Sequence, residues 1–170
     1  MSQSPELKPL SREAIPAALE KAERYRLLND SSAAESICLD ILQVEPDNQS
    51  ALVTLVLSIS DQFGEELSDG VHRAREVLAR LKDDYKRAYY AGIICERRAK
   101  ALLHRSSLGA ADVAAEWFRE AMSWYERAES LRPAGNDESI LRWNTCVRLL
   151  GRHEPSGRSA PREYEPALEE

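Results

Sequence analysis

Hydrophobic residues recur every three or four positions in seven consecutive segments of this 170-residue chain, which is the spacing of one face of an α-helix. In the first segment, for instance, Ile15, Leu19 and Ala22 fall on the same face. No segment alternates apolar and polar residues as a half-buried strand does. The pattern therefore predicts an all-α fold of seven helices, at approximately residues 15–29, 32–45, 47–63, 68–81, 84–105, 110–131 and 136–151.

Residues with known preferences for helix ends mark the boundaries of these segments. Ser32 and Glu35 have the spacing of a capping box, and Asp47 and Asn136 suit the N-caps of the third and seventh helices. Gly64 suits a left-handed C-cap for the third helix. The other expected stops are Pro46, Pro133 and Gly151. Because the connections are short, consecutive helices are expected to be antiparallel neighbours.

The sixth helix favours a stack of helical hairpins over a simple bundle. Its large apolar residues cover far more than one narrow stripe, and they include Trp117, Phe118, Met122, Trp124 and Tyr125. A helix that is apolar over so much of its surface contacts neighbours on more than one side. A helix inside a solenoid has such neighbours.

Two stretches share one spacing: a small residue, a large residue four positions later, a small or aliphatic residue three further on, and a proline five beyond that. They are Ala34, Cys38, Ile41 and Pro46, and then Ala121, Tyr125, Ala128 and Pro133. Ala74, Leu78 and Leu81 repeat the spacing without the proline. This spacing resembles the second helix of the tetratricopeptide repeat, a two-helix motif of about 34 residues. In the third repeat, Tyr89, Ala91 and Gly92 resemble the corresponding stretch of the first helix.

The resemblance implies a right-handed superhelical stack of antiparallel helical hairpins, with about three repeats over residues 15–133. The expected repeat domain spans residues 11–151 and includes a seventh helix that caps the stack, since the end of a solenoid needs a polar outer face. Residues 1–10 are polar and are expected to be flexible. Residues 152–170 contain three prolines, scattered charges and few apolar residues, which predicts a disordered tail.

Charge is distributed unevenly along the chain. The net charge is −6, yet residues 84–132 carry nine basic and seven acidic side chains, a local balance of +2. On the fifth helix, Lys86, Arg97 and His104 lie within about 20° of one another, because separations of 11 and 7 residues nearly complete whole turns. The fifth helix therefore has a wide basic face in an otherwise acidic protein.

In the tetratricopeptide repeat family, the first helix of each repeat lines a concave groove, so the resemblance places this basic face in such a groove. We therefore expect a protein–protein interaction module, an adaptor or scaffold, that binds a peptide segment of a partner protein. An acidic segment is favoured, and Arg and Tyr are common anchors at interfaces. The expected partner-binding residues are Lys86, Tyr89, Tyr90, Arg97, Lys100 and His104. The alternative interpretation is a solvated face paired with acids on neighbouring helices.

Two other functions stay open. A structural or assembly subunit would cover its apolar surfaces in a homo-oligomer or a larger complex. RNA binding through the basic fifth helix is a remote alternative, because a net charge of −6 repels nucleic acid from the molecule as a whole.

No enzymatic, cofactor or metal site is expected. His72, His104 and His153 are isolated and lack paired carboxylates at ligand spacing, and there is no Gly-rich phosphate loop or nucleophile elbow. The three cysteines are far apart inside apolar helices, which favours reduced thiols. The N-terminus lacks the apolar stretch of a secretory signal, and the longest apolar run, residues 51–59, is too short for a membrane span. The sequence thus favours a cytoplasmic location and no membrane partner.

Overall fold

The structure is a computed structural model that describes residues 5–65, 69–105 and 107–153. The described part of the chain forms a 3-10 turn at Arg12–Ala14 and seven α-helices, without any strand. The helices are α1 (Ile15–Leu27), α2 (Ser31–Val44), α3 (Gln49–Asp61), α4 (Gly70–Leu78), α5 (Asp84–His104), α6 (Ala110–Leu131) and α7 (Glu138–His153). The predicted all-α class is confirmed. The expected tail from residue 154 onward and the first four residues of the expected flexible N-terminus lie outside the described residues.

Each helix packs against the next helix in sequence, and some odd-numbered helices also touch one another. α1 packs on α3, and α3 packs on α5, in addition to the sequential pairs. The most extensive contact joins α5 and α6, which are also the two longest helices. Helix α3 is consequently enclosed, and eight of its thirteen residues are buried.

Buried apolar residues form two cores. The first core is built by α1–α4 and one side of α5, and Leu52 of α3 is fully buried in it. The second core lies between α5, α6 and α7 and includes Phe118 and Tyr125, each only 1% exposed. Tyr90 and Trp124 are partly buried and contact both cores. These two side chains therefore link the two halves of the molecule.

The N-caps of α2 and α3 differ from the predicted ones. The Asp30 carboxylate accepts a hydrogen bond from the Ala33 amide at 3.2 Å, so Asp30 caps α2 and the predicted Ser32 lies inside the first turn. The Asn48 side chain accepts from the Ala51 amide at 2.9 Å, so Asn48 replaces the predicted Asp47 as the cap of α3. The observed cap of α2 lies two residues before the predicted one, and the observed cap of α3 lies one residue after it. At each observed position an Asp or Asn side chain can accept a hydrogen bond from an amide of the first turn.

The predicted roles of Gly64 and Gly151 as helix ends are wrong. α3 already ends at Asp61, where the Gln62 amide bonds back to the last turn, and Gly64 does not have the positive φ that Gly109 has at 79°. Gly151 lies inside α7, which continues beyond it. A glycine in the right-handed helical conformation weakens a helix by about 1 kcal/mol but does not by itself end it.

Gly92 marks the closest approach of α5 to α6. A Cβ atom on this residue would lie 2.4 Å from Cε1 of Tyr125, well inside van der Waals contact. The missing side chain therefore lets the Tyr125 ring lie directly on the α5 backbone. Ala121, one turn before Tyr125, is fully buried at the same contact. This close packing brings the Tyr125 hydroxyl within hydrogen-bonding distance of Glu96 on α5.

Candidate functional site

The six predicted partner-binding residues do not all lie on one surface. Lys86 and His104 are exposed, and Tyr90 is half-buried. Tyr89 is only 8% exposed, because its ring fills the second core beside Tyr125, with a distance of 6.0 Å between ring centroids. Burial leaves Tyr89 little surface for a partner, so it supports the site from beneath. The other two residues, Arg97 and Lys100, are partly exposed and held by specific ion pairs.

Arg97 belongs to a chain of charges that joins three odd-numbered helices. Its guanidinium lies 2.7 Å from one carboxylate oxygen of Asp61 on α3, and it donates to the Leu57 carbonyl oxygen at 2.8 Å. The other oxygen of Asp61 accepts from Nε of Arg26 on α1 at 2.8 Å and from the Ser31 hydroxyl at 3.2 Å. Asp61 thus holds an arginine of α1 and an arginine of α5 at the same time.

Glu96, the residue before Arg97, is the centre of a second group of charges. Its side chain is only 1% exposed. One carboxylate oxygen accepts from the Tyr125 hydroxyl of α6 at 2.6 Å, and the other accepts from Lys100 and, at 3.2 Å, from Arg142 of α7. A buried carboxylate is stable only when it is paired and hydrogen-bonded, and Glu96 is both. It ties α5 to α6 and α7.

The two groups meet on one side of α5 and form what we call the charge cluster. Its members are Arg26, Asp61, Glu96, Arg97, Lys100 and Arg142. Four cations stand against two carboxylates, which leaves the cluster at +2 in a chain whose net charge is −6. The cluster draws on all four odd-numbered helices, α1, α3, α5 and α7.

The pKa shifts of two arginines show that the cluster acts as one electrostatic unit. Burial lowers the pKa of Arg97, Asp61 opposes this, and the neighbouring charges of Arg26 and Arg142 lower it further. Burial also acts to lower the pKa of Arg142, but the Glu96 carboxylate together with the hydroxyls of Tyr89 and Tyr125 outweighs it, so that the pKa is raised overall. Since an arginine pKa lies far above neutrality, both guanidinium groups remain charged.

Three tyrosines line the N-terminal half of α5 beside the cluster. Tyr85 stacks on Tyr89 with 5.9 Å between centroids, and Tyr89 meets Tyr90 edge-on at 5.1 Å. Burial raises the pKa of each of the three hydroxyls, so they stay protonated at neutral pH. Tyr90 lies close enough to Arg26 of α1 and Glu138 of α7 to feel both charges. The half-buried Tyr85 and Tyr90 therefore give the basic site an aromatic border, and the buried Tyr89 supports them.

A surface cavity of about 350 Å³ opens beside the cluster, between the C-terminal ends of α3 and α5. Arg97, Lys100 and His104, three of the predicted residues, line it together with Asp61 and Phe63. Nδ1 of His104 lies 2.7 Å from the Lys100 carbonyl oxygen, which orients the imidazole along the helix. The cavity is a place where an external carboxylate can approach the cations of α5.

Sequence reasoning missed four members of the cluster, namely Arg26, Asp61, Glu96 and Arg142. Only Glu96 leaves a local signal, because it directly follows the apolar run of residues 91–95 and shares a helix face with buried Gly92 and Ala99. A carboxylate in such a place needs cationic partners. The sequence does not reveal which cations those are.

Neither a metal-binding group nor a reactive thiol is found among the described residues. They contain no group of three or more His, Cys, Asp or Glu side chains that is arranged to hold a metal ion. Burial raises the pKa of the Cys38, Cys95 and Cys146 thiols to about 12, so none of them is a reactive thiolate near neutral pH. Among the described helices, none is both long enough and apolar enough to cross a membrane. What the site offers is fixed positive charge, hydroxyl groups and aromatic surface.

Comparison with family models, with curated proteins and with solved structures finds no match to this chain.

Proposed function

We propose that this chain is a protein–protein interaction module of the tetratricopeptide repeat type, an adaptor or scaffold that binds an acidic segment of a partner protein. The contacts of α1 with α3 and of α3 with α5 support this arrangement, since first helices of successive repeats lie side by side in such a stack. In the two stretches with the full repeat-like spacing, the residues before the proline are interior, each at most 1% exposed: Ala34, Cys38, Ile41, Ala121, Tyr125 and Ala128. In this proposal the odd-numbered helices line the concave side.

The charge cluster is the observation that carries the proposal. It concentrates a charge of +2 where the odd-numbered helices meet, whereas the rest of the chain is acidic. A positive patch in an acidic molecule attracts an acidic segment to that patch and repels it elsewhere. The binding direction and the register of the segment would thus be set by charge.

The cluster keeps unused capacity for a ligand although its cations are paired internally. An arginine has five N–H donors, and the internal bonds of Arg142 and Arg26 use only some of them. The side chains of Arg142 and Lys100 are each 38% exposed, so carboxylates of a partner can reach them. Charge-assisted bonds to these two side chains would add to the internal ones.

Affinity capture from a native lysate tests the proposal if it uses variants that change the charge of the site and keep a hydrogen-bond donor beside Glu96. The test protein carries Lys86→Glu and Lys100→Gln, because Lys86 is exposed and glutamine can still donate to Glu96. The control is Arg148→Glu, on an exposed position of α7 that lies about 120° around the helix from Arg142. We expect the double variant to lose its partner while the control retains it, with unchanged melting of both proteins.

Two results of that capture contradict the proposal. If the double variant retains its partner at full strength, the partner binds elsewhere. If nuclease treatment releases the captured material, the cluster binds RNA rather than protein.

Assembly into a homo-oligomer is the second candidate function, and exposed leucines favour it. Leu27 and Leu28 are adjacent at the turn after α1 and are 84% and 68% exposed, and Leu141 of α7 is 64% exposed. Such side chains are common at interfaces between subunits. Sedimentation velocity over a hundredfold range of concentration separates the two candidates, because an assembly subunit forms a stable oligomer without any other protein.

The proposal includes a cytoplasmic location. All three cysteines are buried and unpaired, and they lie in the described part of the chain. Free thiols are the usual state in a reducing compartment.

A further inference from the structure

A second recess lies between α4 and α6, on another side of α5 from the charge cluster. α4 has nine residues and packs on α3 and α5, whereas α6 has twenty-two and runs past it. The two helices leave an open space between them above the N-terminal half of α5. This space, which we call the α4–α6 cleft, has a volume of about 560 Å³, within the usual range for ligand pockets.

The interior of the α4–α6 cleft is apolar and contains small side chains. Ala88 and Ala91 of α5 and Leu78 of α4 line its base, and all three are buried. The half-buried Trp124 of α6 forms one wall. Alanines at the base give the recess its depth, and an indole wall offers a large rigid surface to an apolar group.

Charged residues surround this apolar recess, and the arginines outnumber the acids. Arg75, Arg87 and Arg127 line the cleft together with Asp84 and Glu120. Glu120 accepts from Arg75 at 2.9 Å, and Asp84 accepts from Arg87. The guanidinium of Arg127 has no side-chain partner within the described residues. The rim thus carries a charge of +1, which is located on the α6 side.

Arg75 also holds the upper end of the cleft in shape. Its guanidinium lies over the Trp117 ring, 5.4 Å from the centroid, while it is bound to Glu120. A cation stacked on an aromatic ring and paired with a carboxylate loses much of its freedom. The recess is therefore largely formed before anything binds, which reduces the entropic cost of binding.

We propose that the α4–α6 cleft is a second binding site, which takes one bulky apolar side chain from an acidic segment of a partner protein. Leucine or phenylalanine fills the recess against Trp124, and a flanking carboxylate pairs with Arg127. Tryptophan and arginine are the residues most often found at the energetic centre of interfaces, and both are present here. This site is distinct from the charge cluster, since Ala88 of the cleft and Arg97 of the cluster lie on opposite sides of α5, about 180° apart.

The test uses NMR of the 15N-labelled full chain, with the indole N–H signals of its three tryptophans as reporters. The probe is a capped hexapeptide of sequence Glu-Glu-Leu-Phe-Glu-Glu, and the matched control peptide has glycines in place of leucine and phenylalanine. We expect the probe to shift the Trp124 indole signal in a saturable way. The indole of Trp143, on α7, donates to Glu126 at 3.2 Å, outside the cleft. Its NMR signal should not shift.

Two substitutions at the cleft complete the test. Ala79→Trp places a large side chain at the exposed edge of the cleft and should abolish the Trp124 shift. Arg127→Glu should weaken probe binding about fivefold, as expected for reversing one exposed charge, while Arg148→Glu leaves it unchanged.

Three outcomes overturn the proposal. The first is an unmoved Trp124 signal, and the second is an equal shift with the glycine peptide, which would mean attraction by charge alone. The third is a Trp124 shift that appears on concentrating the protein without any peptide, because the occupant would then be a second copy of this chain.

Discussion

The two cores of this molecule are stabilised in different ways. In the first core, apolar side chains of the largely buried helix α3, such as Leu52 and Ile59, pack against α1, α2, α4 and one side of α5. The second core, between α5, α6 and α7, contains the buried carboxylate of Glu96 among its apolar residues. The first core depends on burial of apolar area, and the second depends additionally on charges that must be paired.

The difference is clearest at α7. Only Ser139 and Cys146 of its sixteen residues are buried, and Trp143, Leu149 and Leu150 are partly buried against the second core, so α7 buries less apolar surface than α3 does. The bond from Arg142 to Glu96 adds a specific contact. A buried ion pair adds little net stability over an apolar pair but allows only one arrangement of its partners. We infer that the second core is less stable than an all-apolar core would be, but that its ion pair fixes the position of α7. That position places Arg142 at the charge cluster.

Removing the Glu96 carboxylate should destabilise the protein more than changes at Gly92 or Asp61. Glu96→Ala leaves Arg142, Lys100 and the Tyr125 hydroxyl without their common acceptor, and we expect a loss of about 3–5 kcal/mol in the free energy of unfolding. Urea denaturation followed by tryptophan fluorescence measures it. Glu116→Ala, on the surface of α6, should change stability by less than about 0.5 kcal/mol. Equal effects of both substitutions would mean that the buried charges do not hold the second core.

Filling the space at Gly92 should have the next largest effect. Gly92→Ala forces a Cβ atom against the Tyr125 ring and should cost about 1–3 kcal/mol by overpacking. Gly151→Ala is the matched control, because nothing lies within 4 Å of its added Cβ and the helix gains propensity. That control should stabilise the protein by about 0.5–1 kcal/mol. Thermal melting of the two variants in parallel measures both effects. If both variants were stabilised, the close contact between α5 and α6 would be contradicted.

Breaking the ion pairs of Asp61 with α1 and α5 should have a smaller effect. Asp61→Ala removes the acceptor shared by Arg26 and Arg97, but these side chains are 19% and 22% exposed, so water replaces part of the lost interaction. We expect a loss of about 1 kcal/mol, which shrinks in high salt. Urea denaturation at low and high ionic strength checks both statements. A salt-independent loss would show that Asp61 acts through packing rather than charge.

Ionisation of the buried thiols should lower the free energy of unfolding only in alkaline solution. At neutral pH it should have no effect. Burial raises the pKa of Cys38 and Cys146 from 9.0 to about 12, so the native state disfavours the thiolate. The unfolded chain ionises as the pH rises above 9 and the folded chain does not, so stability is full below pH 9 and falls from there toward pH 12. Native protein should also resist a thiol-specific reagent at about pH 8, where these thiols stay protonated, until it is denatured. Rapid labelling of the folded protein would contradict this burial.

The sequence predicts the local features of this molecule better than the contacts between distant segments. Helical periodicity alone predicts all seven described helices, and the row of Lys86, Arg97 and His104 predicts the basic face of α5. The charge cluster, in contrast, joins Arg26 to Asp61 across 35 residues and Glu96 to Arg142 across 46. Which helix faces meet is decided by packing, and a single sequence carries no direct record of it. The superhelical stack and the family resemblance stay predictions.

Direct titration with an acidic peptide tests the central claim, that the charge cluster binds an acidic segment. The measurement is the fluorescence anisotropy of labelled hexaglutamate, which has no apolar side chain for the α4–α6 cleft, at two salt concentrations. We predict saturable binding that weakens in high salt and weakens at least about fivefold in the Lys86→Glu, Lys100→Gln protein, but not in Arg148→Glu. Equal affinity of all three proteins, or no binding even at low salt, would contradict it.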